Sequence, residues 1–145
     1  MAYEVVLCVR LMIINLLKFN YMNNLNELSK QIYEGNKLRG FDVSKENIGQ
    51  TLMLIVSELS EALEADRKGR YARVKELEGY SQQENLDQRK VGFELYIKDS
   101  FEDEIADSFI RLFDLVGGLN IDIEKHIEMK LKYNSTREYK HGKRY

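Results

Sequence analysis

Residues 52–69 read LMLIVSELSEALEADRKG, and residues 101–115 read FEDEIADSFIRLFDL. Both segments are strongly apolar, as the core-facing helices of a bundle are. Each segment also carries two carboxylates three residues apart: Glu58 with Glu61, and Glu104 with Asp107. On a helix this spacing places the two members of each pair on one face. Four such groups that meet repel one another unless a cation lies between them.

The acids of the first segment have apolar neighbours on their own helix face. Continuing this stripe by threes and fours gives Leu54, Glu58, Glu61 and Ala65. A solvated stripe rarely has apolar residues at both of its ends, so this face is expected to be covered. The main core stripe of the helix is predicted on the other side, and it consists of Leu52, Ile55, Val56, Leu59 and Leu63.

The second segment has a more ordinary pattern. Its predicted core stripe consists of Ile105, Phe109, Leu112 and Val116. The polar residues share the opposite side: Glu104, Asp107, Arg111 and Asp114. Because Arg111 can pair with Asp107, this side is also compatible with a solvated face.

Packing of the two helices decides between a metal site and exposed acids. For one isolated pair of acids, exposure with a salt-bridge partner is the more common state. Two such pairs on two apolar helices are a different case from one isolated pair, because antiparallel packing of the helices can bring all four carboxylates together. Buried unpaired carboxylates are costly or become protonated, whereas a hard divalent cation offsets their repulsion. Oxygen ligands alone favour Mg²⁺, with Mn²⁺ as its substitute, over zinc.

Mg²⁺ that is held by a few carboxylates keeps positions for water and for substrate phosphates. A phosphate ligand also needs positive charge from the protein, and residues 130–145 contain six bases and one acid. Lys130, Asn134 and Arg137 fall near one face as the last predicted helix ends. The alternative is that these cations only stabilise the helix C-terminus and a disordered end.

Composition limits the function classes. The chain has 145 residues, 43% of them hydrophobic, which suits one domain. Its net charge of −2 argues against a general nucleic-acid binder and against a protein of the membrane surface. The single cysteine, Cys8, excludes an intrachain disulfide and indicates a cytoplasmic protein. The absence of proline favours helices over turn-rich β architectures.

Four helices are predicted from hydrophobic periodicity and terminal signals. They cover about residues 24–39, 45–68 and 100–116, and a fourth segment that Asn120 caps. Glycines are expected to end the first three: Gly40, Gly69, and Gly117 with Gly118. Residues 70–99 are polar and weakly periodic, and they are predicted to form a partly helical insertion. The predicted fold is therefore all-α, a four-helix-bundle-like protomer with a long insertion between helices two and three.

The first 21 residues are treated separately. Residues 5–17 resemble the apolar part of a signal peptide, but Glu4 precedes them and Arg10 interrupts them. The run is also too short to span a bilayer. Since Met22 begins a clean helical pattern, residues 1–21 are interpreted as an N-terminal extension, either upstream of the natural start or an extra packing segment. Residues 22–145 are predicted to be a single domain.

Three stretches together resemble a known family. They are ELSEALEADRKG at 58–69, YIKDSFEDEIADSFIRLFDL at 96–115 and KLKYNSTREYKHGKRY at 130–145. The chain is similar to the MazG-like all-α nucleoside triphosphate pyrophosphohydrolases, in their small single-domain form. The ordered motifs of this family are ExxE, ExxD and KxxxNxxR, which here are Glu58 with Glu61, Glu104 with Asp107, and Lys130 with Asn134 and Arg137.

The resemblance implies Mg²⁺-dependent cleavage of a nucleoside triphosphate to the monophosphate and pyrophosphate. It implies that the four acids bind the metal, that Glu61 helps to deprotonate the attacking water, and that the base lies near helix one. It also implies a homodimer or homotetramer. The phosphate or ribose contacts are assigned to Lys98, Lys130, Asn134, Arg137 and Lys143.

Two features depart from the family pattern, namely the 42 residues between Glu61 and Glu104 and the extra segment at 1–21. Two alternative functions stay open. A non-catalytic helical module would bind a partner through its second apolar face. A di-iron carboxylate bundle would need two Glu-x-x-His motifs, and the chain has one, Glu138 with His141.

Overall fold

The computed structural model describes residues 24–80 and 86–137, and six α-helices make up most of them. They are α1 (Leu25–Lys37), α2 (Ile48–Arg67), α3 (Val74–Tyr80), α4 (Leu86–Tyr96), α5 (Phe101–Gly118) and α6 (Ile123–Ser135). These residues contain no strand, so the all-α prediction is confirmed. The predicted extension at 1–21 and the tail residue Lys143 lie outside the described residues.

The chain divides into two compact units. One comprises residues 45–112 and holds α2, α3, α4 and most of α5. The other joins 24–44 to 113–137 and holds α1, the end of α5 and α6. Within the described ranges, no helix combines the length and the hydropathy that a membrane span requires.

In the unit that holds α1, the first turns of α1 and α6 cap each other. The backbone N–H of Leu25 donates to Glu124 Oε1 at 2.6 Å, and Asn26 Nδ2 donates to Asp122 Oδ1 at 2.8 Å. In return, Asn26 Oδ1 accepts from the backbone N–H of Ile123 at 2.9 Å. Each helix start thus satisfies backbone donors of the other, which would otherwise lack partners.

The cap of α6 differs from the prediction. Asp122 is the N-cap residue, and its side chain accepts from the backbone N–H of Lys125 at 3.2 Å. Asn120 instead lies in the turn after α5, with a φ of 52°. Asparagine suits this left-handed conformation because its short polar side chain tolerates it. The prediction of Asn120 as the cap was therefore wrong by two residues.

The glycines have two different roles. Gly40 and Gly69 follow α1 and α2 with φ of 92° and 64°, as expected for residues that end helices. Helix α5 ends at Gly118, as predicted, but Gly117 and Gly118 belong to the helix itself and do not follow it in a left-handed conformation. A Cβ at Gly118 would lie 2.7 Å from the Cβ of Val43, so glycine permits close approach here.

The predicted insertion, residues 70–99, is largely helical where it is described, and its two ends lie close together. The backbone N–H of Arg73, just before α3, donates to the carbonyl of Tyr96 at 2.8 Å, and its guanidinium lies 4.9 Å from the Tyr96 ring. The backbone N–H of Phe101 donates to the carbonyl of Arg70 at 2.9 Å. Backbone hydrogen bonds therefore join the two ends of this insertion, which connects the end of α2 to the start of α5.

Burial on α2 differs from the predicted core stripe. The buried residues are Thr51, Ile55, Glu58, Ala62 and Ala65. The leucine-rich stripe is exposed in this chain, apart from Ile55: Leu52, Val56, Leu59 and Leu63. The prediction was wrong because both faces satisfy helical periodicity, and the face with small residues and the acid is the one that packs inward.

Helix α5 follows the same arrangement. Its buried positions include Glu104, Ser108 and Leu115, while Phe109 and Leu112 of the predicted core stripe are exposed. Val116 of that stripe is buried, as predicted. Small and acidic side chains therefore face inward on both helices that carry the paired acids.

Candidate metal centre

Acids from the two distant segments meet in the unit formed by residues 45–112. One carboxylate oxygen from each of Glu58, Glu61 and Glu104 lies within 4.8 Å of the others. Glu58 and Glu104 are 7% and 6% exposed, whereas Glu61 is exposed. The structure thus brings together three of the four carboxylates that the sequence singled out.

The local helix geometry explains this convergence. Glu58 lies on the buried face of α2, one turn before Ala62 and two turns before Ala65. Both alanines are buried, and because their side chains are single methyl groups, this face of α2 projects little from the helix. On α5, Glu104 lies one turn before the buried Ser108, whose hydroxyl donates to the Glu104 carbonyl at 3.0 Å. Small neighbours on both helices therefore leave room for the longer acids between them.

Arg111 neutralises one of the three acids. Its Nε and Nη2 both lie 2.6 Å from Glu58 Oε1. Such charge-assisted bonds are among the strongest in proteins. Arg111 therefore pairs with Glu58 and not with Asp107, the partner that its own helix suggested. The two paired residues lie 53 positions apart in the chain, so local spacing carries no signal for this contact.

Asp107 lies outside the three-carboxylate group, although it lines the same cavity. Burial raises the pKa of its carboxyl, and the neighbouring charges of Asp103 and Glu58 add to this effect, while Arg111 opposes it. The structure thus leaves Asp107 in the wall of the cavity, and its predicted role as a fourth metal ligand stays a prediction.

The surroundings of Glu104 disfavour the ionised form of its carboxyl group. Burial raises the pKa of its carboxyl to about 7, and the charges of Glu61, Glu58 and Asp103 contribute as well. A raised pKa means that the folded protein resists placing a further negative charge here. A bound cation would relieve this resistance, and a proton relieves it in the absence of a cation.

The acids open into a cavity of about 500 Å³. Helix α4 lines its other side with Lys90, Phe93 and Glu94, and Lys98 follows just after that helix. The cavity therefore combines acids with two cations and an aromatic ring. Of these four residues, only Lys98 was predicted as a site residue.

The sequence does not identify Lys90, Phe93 and Glu94 as site residues, because their segment is polar and weakly periodic. A signal was present in their spacing, since positions i, i+3 and i+4 share one helix face. The sequence of the segment does not show that this face of α4 lies beside the acids, because that contact depends on how residues 70–99 fold back onto α2 and α5.

The remaining predicted substrate contacts belong to the other compact unit. Lys130 Nζ lies 5.1 Å from the centre of the Tyr133 ring, and the Arg137 guanidinium lies 5.9 Å from the same point. Asn134 Oδ1 is buried and accepts no hydrogen bond from the described part of the chain. Their predicted role in phosphate binding stays a prediction.

Comparisons with protein-family models, curated proteins and solved structures give no match to the chain.

Proposed function

We propose that the protein is a Mg²⁺-dependent nucleoside triphosphate pyrophosphohydrolase, which converts a ribo- or deoxyribonucleoside triphosphate to the monophosphate and pyrophosphate. The observation that carries this proposal is the meeting of Glu58, Glu61 and Glu104 beside a cavity that also contains cations. The motif resemblance supplies the reaction class.

The donor set suits a hard divalent cation. All three groups offer carboxylate oxygens, which Mg²⁺ and Mn²⁺ prefer, and no histidine belongs to the cluster. Arg111 compensates one of the three charges, so that two remain for a divalent ion. Glu58, Glu61 and Glu104 would hold the ion, with Asp107 nearby. When bound, Mg²⁺ neutralises substrate phosphate charge and polarises the phosphorus that is attacked.

Glu61 is the proposed general base. It is the exposed member of the cluster, and Ser57 Oγ donates to its Oε1 at 3.3 Å. Its carboxylate would accept the proton of a water whose oxygen bonds to the α phosphorus. The bond between that phosphorus and the bridging oxygen to the β phosphorus then breaks, and pyrophosphate leaves with the electron pair. A positioned carboxylate of this kind contributes roughly 10²–10⁴-fold to the rate.

Cations would orient the phosphates. Lys90 and Lys98 line the cavity, and ammonium groups are effective phosphate ligands. Further phosphate or ribose contacts are proposed for the KxxxNxxR residues Lys130, Asn134 and Arg137, and for Lys143 of the same basic tail. Phe93 offers a ring on which a base can stack at the cavity, and α1 borders a second cavity of about 460 Å³ that includes Tyr33. Positioning and electrostatics are sufficient for this reaction, and no covalent nucleophile is needed.

The two alternatives receive less support. A di-iron site would require histidines in the cluster, and among the described residues the one histidine is His126, in the other compact unit. A purely structural module would not need a cavity that joins three acids to two lysines. The exposed apolar stripe of α2 is compatible with either an enzyme or a module.

A pyrophosphate-release screen over common and modified nucleoside triphosphates, with and without Mg²⁺, tests the proposal. Glu61→Gln is expected to abolish turnover, because the amide cannot accept the proton, while helix content and oligomer size stay unchanged. The matched control is Glu64→Gln, which alters an acid of the same helix that is paired with Arg67 and Lys68 outside the cluster.

Two results would contradict the enzymatic proposal. One is the absence of Mg²⁺-dependent pyrophosphate release from every nucleotide in the screen. The other is a Glu61→Gln variant that keeps full turnover. Unfolding or dissociation of that variant, with no activity in the unaltered protein, would instead favour the structural module.

A further inference from the structure

Arg111 contacts the acidic cluster through one oxygen of one acid. Its Nε donates to Glu58 Oε1 at 2.6 Å, and its Nη2 lies 2.6 Å from the same oxygen. The Glu58 side chain is 9% exposed, so bulk water has little access to compete for this contact. Both nitrogens therefore stay on Oε1, and Oε2 is the oxygen that Glu58 can offer to a cation.

A divalent cation cannot share Oε1 with Arg111. A carboxylate oxygen has two lone-pair positions, and the two guanidinium nitrogens lie close enough to take up both. A cation on the same oxygen would also lie beside the positive charge of the guanidinium, and like charges repel strongly in a site that is partly shielded from water. Glu58 is thereby restricted to one coordinating oxygen.

Glu104 independently indicates a cation at this place. The residue is 6% exposed and lines the cavity. Its carboxyl forms a hydrogen bond with Glu58, which is itself an acid, and in the described part of the chain no lysine or arginine pairs with it. Two carboxyls share a hydrogen bond only when a proton lies between them, so the ionised pair needs a cation in place of that proton.

The number of available oxygens distinguishes the divalent cations from one another. Ca²⁺ takes about six to eight oxygen ligands at roughly 2.3–2.6 Å and often binds both oxygens of a carboxylate. Mg²⁺ requires a near-ideal octahedron at about 2.0–2.1 Å and keeps several waters, so it needs few protein oxygens. The restriction of Glu58 to one oxygen therefore weakens Ca²⁺ binding more than Mg²⁺ binding.

We propose that Arg111 makes the metal centre select Mg²⁺ over Ca²⁺, because it holds Glu58 Oε1 away from the ion. Arg111 is thus a positioning residue that acts through Glu58. With this contact in place, the three acids supply at most five oxygens, one from Glu58 and up to two each from Glu61 and Glu104. The inference rests on the metal binding of the proposed function, and it does not depend on the substrate.

Metal competition on the full chain, without nucleotide, tests this inference. Mn²⁺ is bound first, and its displacement by Mg²⁺ or by Ca²⁺ is followed by electron paramagnetic resonance. The quantity compared is the dissociation constant of Ca²⁺ divided by that of Mg²⁺. Arg111→Met should lower this ratio by roughly 10-fold relative to the unaltered protein, since partners that orient a metal ligand change metal affinity by about 10–100-fold.

Two further variants separate geometry from charge. Arg111→Lys keeps the positive charge, but one ammonium cannot place two nitrogens on Oε1, so the ratio should fall here as well. Lys98→Met removes a positive charge from the same cavity, where the ammonium lies 3.8 Å from Asp99 Oδ2, and the ratio should stay unchanged. Arg111→Lys also keeps the test decisive if Arg111→Met fails to fold.

An unchanged ratio in a folded Arg111 variant would overturn the restriction of Glu58 and would leave the enzymatic proposal standing. An equal fall in Lys98→Met would assign the effect to charge alone and would overturn it too. If the folded, unaltered protein binds no Mn²⁺, this inference fails together with the metal centre. Absence of pyrophosphate release, with the expected change of the ratio, would instead overturn the reaction alone.

Discussion

Arg111 donates a hydrogen bond from Nε to Glu58 Oε1, and its Nη2 forms an ion pair with the same oxygen, so this contact reduces the negative charge of the acidic cluster. Without it, three carboxylates would share a largely buried space. With it, Glu58 is compensated, and the remaining repulsion falls on Glu61 and Glu104. A single long-range ion pair therefore makes the cluster compatible with a folded chain in the absence of a cation.

Arg111→Met is expected to lower the free energy of unfolding by about 1–3 kcal/mol in metal-free buffer at neutral pH, because Glu58 would become a buried charge without its partner. Added Mg²⁺ should recover part of this loss. Urea denaturation of the full chain, at one protein concentration, provides the measurement.

The control for this substitution is Arg67→Met, which removes an exposed ion pair between neighbouring turns of α2. Exposed pairs of this kind contribute about 0.5 kcal/mol or less. Equal losses for the two variants, or no recovery with Mg²⁺, would show that Arg111 has no special relation to the cluster.

Glu104 predicts a pH dependence of stability. Its pKa is about 7 in the folded protein against an ordinary value of 4.5, so the folded state binds more protons between these two pH values. The contribution of Glu104 is therefore most favourable below pH 4.5 and is lost as the pH rises through 7. The full effect is on the order of 3 kcal/mol.

Unfolding of the metal-free protein at pH 6 and pH 8 measures this dependence, with Glu104→Gln as the comparison. The variant should lose less stability over this interval, since an amide does not ionise. Mg²⁺ should stabilise the unaltered protein more at pH 8, where the carboxylate is ionised. Parallel pH profiles for the two proteins would contradict the assigned cause.

At the scale of elements, the helices that carry the paired acids are well predicted and their orientation is not. Helix α2 was expected over about 45–68 and occupies Ile48–Arg67, and α5 was expected over about 100–116 and occupies Phe101–Gly118. The predicted core stripes instead lie largely outside. Two faces of each helix satisfied the same periodicity, and the choice between them depends on which neighbour is present.

The contact between α5 and α1 gives a prediction about an element junction. A Cβ at Gly117 would lie 2.8 Å from the carbonyl carbon of Ser29 and from the Cβ of Tyr33, and closer still to the Ser29 carbonyl oxygen. Gly117→Ala should therefore force the helices apart and lower the free energy of unfolding by about 2–3 kcal/mol. Chemical denaturation measures this loss.

Gly49→Ala is the matched control, since no heavy atom lies within 4 Å of a Cβ at this helical position. Alanine should stabilise α2 there by roughly 0.5–1 kcal/mol because it restricts the unfolded chain. If both alanine variants changed stability in the same direction, the close approach of α1 to α5 would not explain why residue 117 is a glycine.

At the scale of the whole molecule, many of the large apolar side chains are exposed, among them Leu52, Leu59 and Leu63 of α2. If the chain forms the homodimer or homotetramer that the motif resemblance implies, folding and association are linked, and apparent stability rises with protein concentration. The stability differences expected for Arg111, Glu104 and Gly117 variants therefore have meaning only at matched concentrations.

The candidate site was partly predictable. Paired acids three residues apart, within apolar helices, were sufficient to identify Glu58, Glu61 and Glu104. The ion pair of Arg111 and the contribution of α4 to the cavity were not predictable, because they join residues that are far apart in the chain. Asp107 lines the same cavity but lies outside the group of three carboxylates, and its role as a fourth ligand stays a prediction.

The amino-acid sequence by itself determined that the chain is helical, roughly where its main helices begin and end, and which carboxylates share a helix face. These properties depend on backbone hydrogen bonds and side-chain periodicity within a few turns. Only the tertiary structure decided that the acid-bearing faces pack inward, that Arg111 compensates Glu58, and that α4 completes the cavity. The physical reason is that burial and charge compensation depend on contacts between segments distant in sequence, which local periodicity does not specify.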